Sequence, residues 1–175
     1  MPSVSLAQIA SILSAARSID DPASHASERL LATLDDLFQE YLGLDPKTSF
    51  IGVYHVYHEH LLVLGPYAGP PTVHTVLPVT SGVVGRCFQE RRHLIVDDVS
   101  CCDYYVSCCE TVRSEIVVPL EHNDFAVGVL DLDSDDLAAY DNHDLQVLEE
   151  MADTITPICN ELATRVELRV DWSGE

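Results

Sequence analysis

Apolar residues recur every three or four positions in two stretches near the start of the chain: Leu6, Ile9, Ala10 and Leu13, then Leu30, Leu31, Leu34, Leu37, Phe38 and Tyr41. That spacing lays one apolar stripe along each of two helices. Asp20-Asp21-Pro22 separates them, and Gly43 followed by Asp45-Pro46 stops the second. A third helical stripe, Leu145, Leu148, Met151, Ala152, Ile155 and Ile158, runs toward the end of the chain, with Asp141 or Asn142 as its N-cap.

Between the helices the period changes. Aromatic and β-branched residues gather from Phe50 to Tyr57, and His60 to Leu64 follows after a turn, which reads as a hairpin. Gly65-Pro66 and Gly69-Pro70-Pro71 read as loop, Val73 to Pro78 as a strand, Gly82 to Glu90 as a short helix and Leu94-Ile95-Val96 as a short strand. Cys101 to Arg113 has no clean period. Ser114 to Leu120 and Phe125 to Asp131 then flank a Glu121-His122-Asn123-Asp124 turn, making a second hairpin. Parallel strands need crossovers of about a dozen residues, and these connections are mostly shorter. The pattern therefore predicts an α+β (α/β layered) single domain over residues 1–175, with a mainly antiparallel sheet of about five or six strands and helices at both ends.

The charge narrows the partners. Against 29 acidic residues the chain sets 9 basic ones, a formal net charge of −20, which repels nucleic-acid backbones and anionic membranes over a Debye length of about 8–10 Å. No apolar run reaches the roughly 20 residues of a membrane span, and residues 1–30 lack the signature of a secretory signal. A cytoplasmic protein is expected. Its six cysteines, including the adjacent pairs Cys101-Cys102 and Cys108-Cys109, are then expected as thiols. Adjacent pairs lack the spacing of zinc ligands, so no metal centre is expected; His55, His58 and His60 read as surface histidines of a hairpin.

Four stretches carry a resemblance: Leu62-Val63-Leu64-Gly65-Pro66-Tyr67, Ser81-Gly82-Val83-Val84-Gly85, Ser114-Glu115-Ile116-Val117-Val118-Pro119-Leu120 and Gly128-Val129-Leu130-Asp131-Leu132-Asp133-Ser134. In sequence and order they resemble the GAF-domain free methionine-(R)-sulfoxide reductases, over roughly residues 27–160, with 1–20 left outside as an extra N-terminal helix. The resemblance implies a GAF fold with the terminal helices on one sheet face and a ligand pocket on the other. It implies thiol-dependent reduction of free methionine sulfoxide, through a cysteine sulfenic acid and a disulfide reset by a thioredoxin-type reductant, with no bound cofactor. A homodimer is a further implication.

By that likeness Cys108, six positions before Ser114, is the attacking thiol, although composition alone would read it as a small packed hydrophobe. The family's two other cysteine positions are occupied here by Val73-His74 and Val84, so the second thiol would come from Cys109, Cys102, Cys101 or Cys87. Glu115, Asp131 and Asp133 match the family's ligand-binding carboxylates, which suit the ammonium group of a free amino acid. A solvated strand end is the plainer reading of the two aspartates. Phe50 and Tyr54, four apart on one strand, share a face and form either an apolar wall of the pocket or core. A non-catalytic GAF module that binds a small molecule or senses redox state is the alternative function.

Overall fold

The computed structural model of the chain describes residues 26–107 and 109–167. The helix expected over residues 3–16 and the cysteine at 108 lie outside the described residues. Helix α1 (Ala26–Leu44) buries Leu34, Leu37 and Phe38, the middle of its apolar stripe. Strands β1 (Phe50–Tyr57), β2 (Leu61–Ala68) and β3 (Val76–Pro78) follow, then helix α2 (Gly82–Glu90), strand β4 (Leu94–Val96) and a 3-10 turn at Val99–Cys101. Strands β5 (Ser114–His122) and β6 (Phe125–Ser134) precede helix α3 (Asn142–Glu167). Asp141 is the residue that caps α3: its carboxylate accepts from the N–H groups of His143 (2.7 Å) and Asp144 (3.1 Å), while the Asp144 carboxylate accepts from the Asp141 N–H (2.8 Å). This reciprocal arrangement satisfies amides that the first helical turn leaves without partners.

The strands form one six-stranded sheet in the order β3-β2-β1-β6-β5-β4, antiparallel at every step. Alternation along each strand divides its side chains between two layers. Ile51, Val53, Ile116, Val118, Leu130 and Leu132 point toward α1 and α3 and join Phe38, Leu148, Met151 and Ile155 in the larger core. Tyr54, Leu62, Val117 and Val129 point to the opposite face, where Val83, Val84 and Cys87 of α2 cover part of it. The remainder of that second face is left to the loops around residues 70–75 and 102–113.

Three boundaries differ from the sequence expectation. Strand β2 continues through Gly65-Pro66, read above as loop, to Ala68. Its register against β1 slips between Gly52 and Tyr54, where Gly52 opposes Tyr67 but Tyr54 opposes Leu64, so the Gly-Pro pair is accommodated as a bulge. Strand β3 pairs only with Leu61–Val63. Pro66 therefore has no β3 neighbour that would require its missing N–H. The bulge also reverses which side chains face which layer: Tyr67 joins the face of Phe50, and Ala68 turns into the larger core.

The third strand is shorter than expected, Val76–Pro78 in place of Val73–Pro78, because residues 72–75 leave the sheet. Conversely β5 and β6 extend to a two-residue turn at Asn123-Asp124, whose φ values of 51° and 66° are the left-handed pair of a type I′ hairpin. The expected four-residue turn was drawn too wide. His55, read above as a surface residue, is half-buried on the helix side of β1, its ring beside Gly65. Burial lowers its pKa to about 4, and its Nδ1 has no hydrogen-bond partner.

Candidate functional site

Strand β6 places Leu130 and Leu132 in the larger core, and by the same alternation turns Val129, Asp131 and Asp133 to the other face. Glu115 on β5 lies directly across from Asp133, and Gly52 on β1 lies across from Asp131. The three carboxyl groups are thereby gathered, with one oxygen of each within 4.8 Å of the others. They are not a solvated strand end: Glu115, Asp131 and Asp133 expose 4%, 5% and 4% of their surface.

Such a cluster cannot hold three full charges out of water. Burial is the main force pushing Glu115 well above the ordinary carboxylate range, reinforced by the charges of Asp131 and Asp133 and by its hydrogen bond to Asp131. Asp131 is likewise raised, by burial and then by Asp133, while the bond from Glu115 acts the other way. Glu115 and Asp131 are thus both held toward their protonated forms, as a pair joined by a hydrogen bond. The Asp131 Oδ1 atom remains buried with no protein partner. Oxygen groups so spaced would accept an ammonium or a small hard cation, and no other such trio occurs among the described residues.

A cleft of about 190 Å³ opens onto this cluster, smaller than the roughly 300–1,000 Å³ of pockets for drug-sized ligands and suited to something of amino-acid size. Phe50 and Tyr54 form one wall, Pro70-Pro71-Thr72 another, with Asp131 and Asp133 at the base. Phe50 stacks on Tyr67 with centroids 5.7 Å apart. The absence of a side chain at Gly52 permits this, since a Cβ there would stand 2.9 Å from the Phe50 ring and 3.0 Å from the Tyr67 Cβ. An adjoining cavity of about 30 Å³ shares Tyr54, Asp131 and Asp133 and adds Glu115, His74 and Val106.

The cysteines occupy different environments. Cys109 lines the cleft beside Asp131 and Asp133; a hydrogen bond with the Thr111 hydroxyl (3.3 Å), then the Thr111 N–H, holds its thiol below the ordinary value. Cys102 is partly buried in the second core and close enough to raise Glu115 further. Cys101 is exposed and bonds to the Asp98 carboxylate at 3.7 Å. Cys87, on α2, is fully buried, with burial and the charges of Asp131 and Glu115 pushing its thiol up. Hydrogen bonds from Ser100 hold the Asp98 carboxyl low, and Arg113, the nearest cation in sequence to Cys108, adds a smaller effect in the same direction.

The GAF domain family model matches residues 23–158, most of the chain. The chain is 37% identical over 102 residues to GAF domain-containing protein A of Dictyostelium discoideum, an alignment covering 58% of this chain and 64% of that protein. It is 30% identical over 126 residues to the free methionine-R-sulfoxide reductase of Saccharomyces cerevisiae, covering 70% of this chain and 69% of the yeast protein. The chain belongs to the GAF-domain free methionine-(R)-sulfoxide reductase family. The substrate-bound structure of the free methionine-R-sulfoxide reductase from Neisseria meningitidis superposes with a TM-score of 0.74 at 29% identity, covering 90% of this chain and 89% of that one. The chain thus spans about two thirds of its curated relatives and most of that solved domain.

For a member of this reductase family of enzymes, the structure brings Phe50, Tyr54, Asp131, Asp133 and Cys109 around one cleft and Glu115 into the cavity behind it. Sequence reasoning missed the wall of Pro70, Pro71 and Thr72, the supporting Tyr67 and the bridging His74. A Gly-Pro-Pro run signals a stiff loop, which is the one cue that pointed there. Among the described residues no helix is long and apolar enough to cross a membrane.

Proposed function

We propose that the chain reduces free methionine-(R)-sulfoxide, with Cys108 as the attacking thiol. The observation that supports this most is the buried, unpartnered Oδ1 of Asp131 at the base of a cleft whose wall includes Cys109, one peptide from Cys108. The ammonium of a free amino acid supplies a donor for the Asp131 Oδ1 atom, with the Asp133 carboxyl group beside it, and the Phe50–Tyr54 wall suits its methylene and methyl groups.

In this reading the Cys108 thiolate attacks the sulfoxide sulfur, and the oxygen takes up a proton held by the Glu115–Asp131 pair. The oxygen ends on cysteine as a sulfenic acid and methionine leaves as the thioether. A second thiol then displaces water from the sulfenic acid to give a disulfide, with Cys109, Cys102 and Cys101 as the accessible candidates and Cys87 disfavoured by its burial. An external dithiol of thioredoxin type takes the disulfide back to two thiols, so no bound cofactor is required.

The test is methionine formation from free methionine-(R)-sulfoxide with dithiothreitol or thioredoxin, in the parent and in Cys108→Ser. Turnover by the parent and its loss in the variant is the expected result. If the parent makes no methionine with either reductant yet still binds the sulfoxide, the chain is a ligand-binding GAF module. Turnover that survives in Cys108→Ser would move the attack to another thiol.

A further inference from the structure

We propose that His74 is the positioning residue that ties the cysteine-bearing loop to the aromatic wall of the cleft. Its imidazole Nε2 lies 2.9 Å from the Ser107 carbonyl oxygen, immediately before Cys108 and Cys109. A carbonyl can only accept, so Nε2 carries the hydrogen. The backbone carbonyl of His74 accepts from the Tyr54 hydroxyl at 3.1 Å, and its N–H donates to the Thr72 hydroxyl at 3.1 Å. One step further along, the Leu64 N–H donates to the Thr75 carbonyl at 2.8 Å, fastening the same loop to β2.

One residue therefore joins three pieces that share no strand: Tyr54 of β1, the Pro70–Thr75 wall, and the loop of Ser107 and Cys109. The cavity it lines is also lined by Glu115, Asp131 and Asp133, so His74 and the carboxyl cluster border the same space. The loop at 102–113 is also fastened by the Arg86 guanidinium 4.4 Å over the Tyr104 ring and by Tyr105 packed on the second core, and the bridge takes hold further along, at Ser107. Its beginning is fixed by the 3-10 turn and the Tyr105 N–H to Cys102 carbonyl bond (3.0 Å), and its end by the Arg113 N–H to Ser134 carbonyl bond (2.8 Å). Between these anchors the Ser107 carbonyl is held by the His74 ring. Cys109, two residues further on, lines the cleft; a misplacement of about 1 Å is enough to weaken attack by a thiol on this segment steeply. His74 touches no reacting atom in this account; it acts through Ser107.

His74→Ala and His74→Gln separate this role from packing. Glutamine sets its amide nitrogen where the imidazole Nε2 stood and restores the donor; alanine does not. With free methionine-(R)-sulfoxide and dithiothreitol, the expected result for His74→Ala is a fall in kcat/KM of about three- to tenfold, the worth of one hydrogen bond, carried by kcat with KM nearly unchanged. His74→Gln is expected to recover most of it. In parallel, amide hydrogen exchange over residues 102–113 is expected to quicken in His74→Ala and return toward the parent rate in His74→Gln, with thermal unfolding unchanged. This kinetic arm rests on the reductase reading, whereas the exchange arm does not, so an inactive parent protein would defeat the reductase reading and leave His74 to be judged by exchange alone. Exchange over 102–113 that is the same in all three proteins, or glutamine behaving as alanine, overturns the proposal.

Discussion

Replacing Asp131 by asparagine should make the unliganded protein more stable and the ligand weaker. Asp131 is buried, is hydrogen-bonded to Glu115 and leaves Oδ1 without a partner. An amide keeps an oxygen to accept from Glu115, removes a group that burial and Asp133 disfavour as an anion, and presents an N–H₂ toward the remaining acids. Relief of an unsatisfied buried polar atom amounts to about 1–3 kcal/mol, or about 2–4 °C in Tm for each kcal/mol in a chain of this size. A ligand ammonium loses a charge-assisted bond of about 1.5–3 kcal/mol, so Kd should rise about 10- to 150-fold.

The pH dependence has a definite sign. The pKa values of Glu115 and Asp131 are raised in the folded chain, so above the ordinary carboxylate range the folded state keeps protons that the unfolded state has released. Stability from this cluster is present at low pH and declines as pH rises toward the raised values. Asp131→Asn should flatten that decline. Thermal unfolding at pH 5, 6, 7 and 8, with calorimetric titration of free methionine sulfoxide at pH 7, measures both effects. A variant less stable than the parent at pH 7, or one that binds the sulfoxide equally well, would refute the reasoning.

Two further outcomes follow from groups on either side of the sheet. His55 is depressed from 6.5 to about 4, so at about 1.36 kcal/mol per pH unit its neutral form contributes up to about 3 kcal/mol above pH 6.5, lost as pH falls to 4; since the carboxyl cluster acts in the opposite sense, the check is the urea midpoint of the parent against His55→Leu at each pH, and equal acid sensitivity of the two would sink the idea. Iodoacetamide at pH 7.5 should label Cys109, whose thiol Thr111 acidifies, well before buried Cys87, with peptide mass spectrometry as the readout and equal labelling of both as the contrary result.

The elements with a strong period were legible from residues alone. The stripe of Leu34, Leu37 and Phe38 marked α1, Gly82 to Glu90 came out as α2, and the β5–β6 hairpin needed only its turn narrowed. Gly65-Pro66 misled because local turn chemistry is identical in a loop and in a bulge; the distinction is made by β1, which lies across from it. For Asp131 and Asp133 the local reading favoured water, and only their likeness to a family motif argued otherwise. Their burial comes from the loops around 70–75 and 102–113, segments with no period from which a position could be read. The same is true of His74, whose role depends on a contact 33 residues away.

The cleft also answers an electrostatic difficulty that the sequence raises. Carboxylates beside a cysteine oppose its thiolate, and Arg113, the nearest cation in sequence to Cys108, only adds its charge to the Ser100 hydrogen bonds that hold Asp98 low. Two features reduce the opposition without a basic side chain. Burial and mutual repulsion raise both Glu115 and Asp131, which lowers the negative charge the trio holds, and Thr111 supplies hydrogen bonds that favour ionised sulfur at Cys109. A ligand ammonium seated on Asp131 and Asp133 would offset what remains. On the reductase reading proposed above, thiolate formation in the cleft should therefore be coupled to occupancy: a bound amino acid would contribute part of the field that activates the attacking sulfur, so an analogue lacking the amino group should lose reactivity as well as affinity.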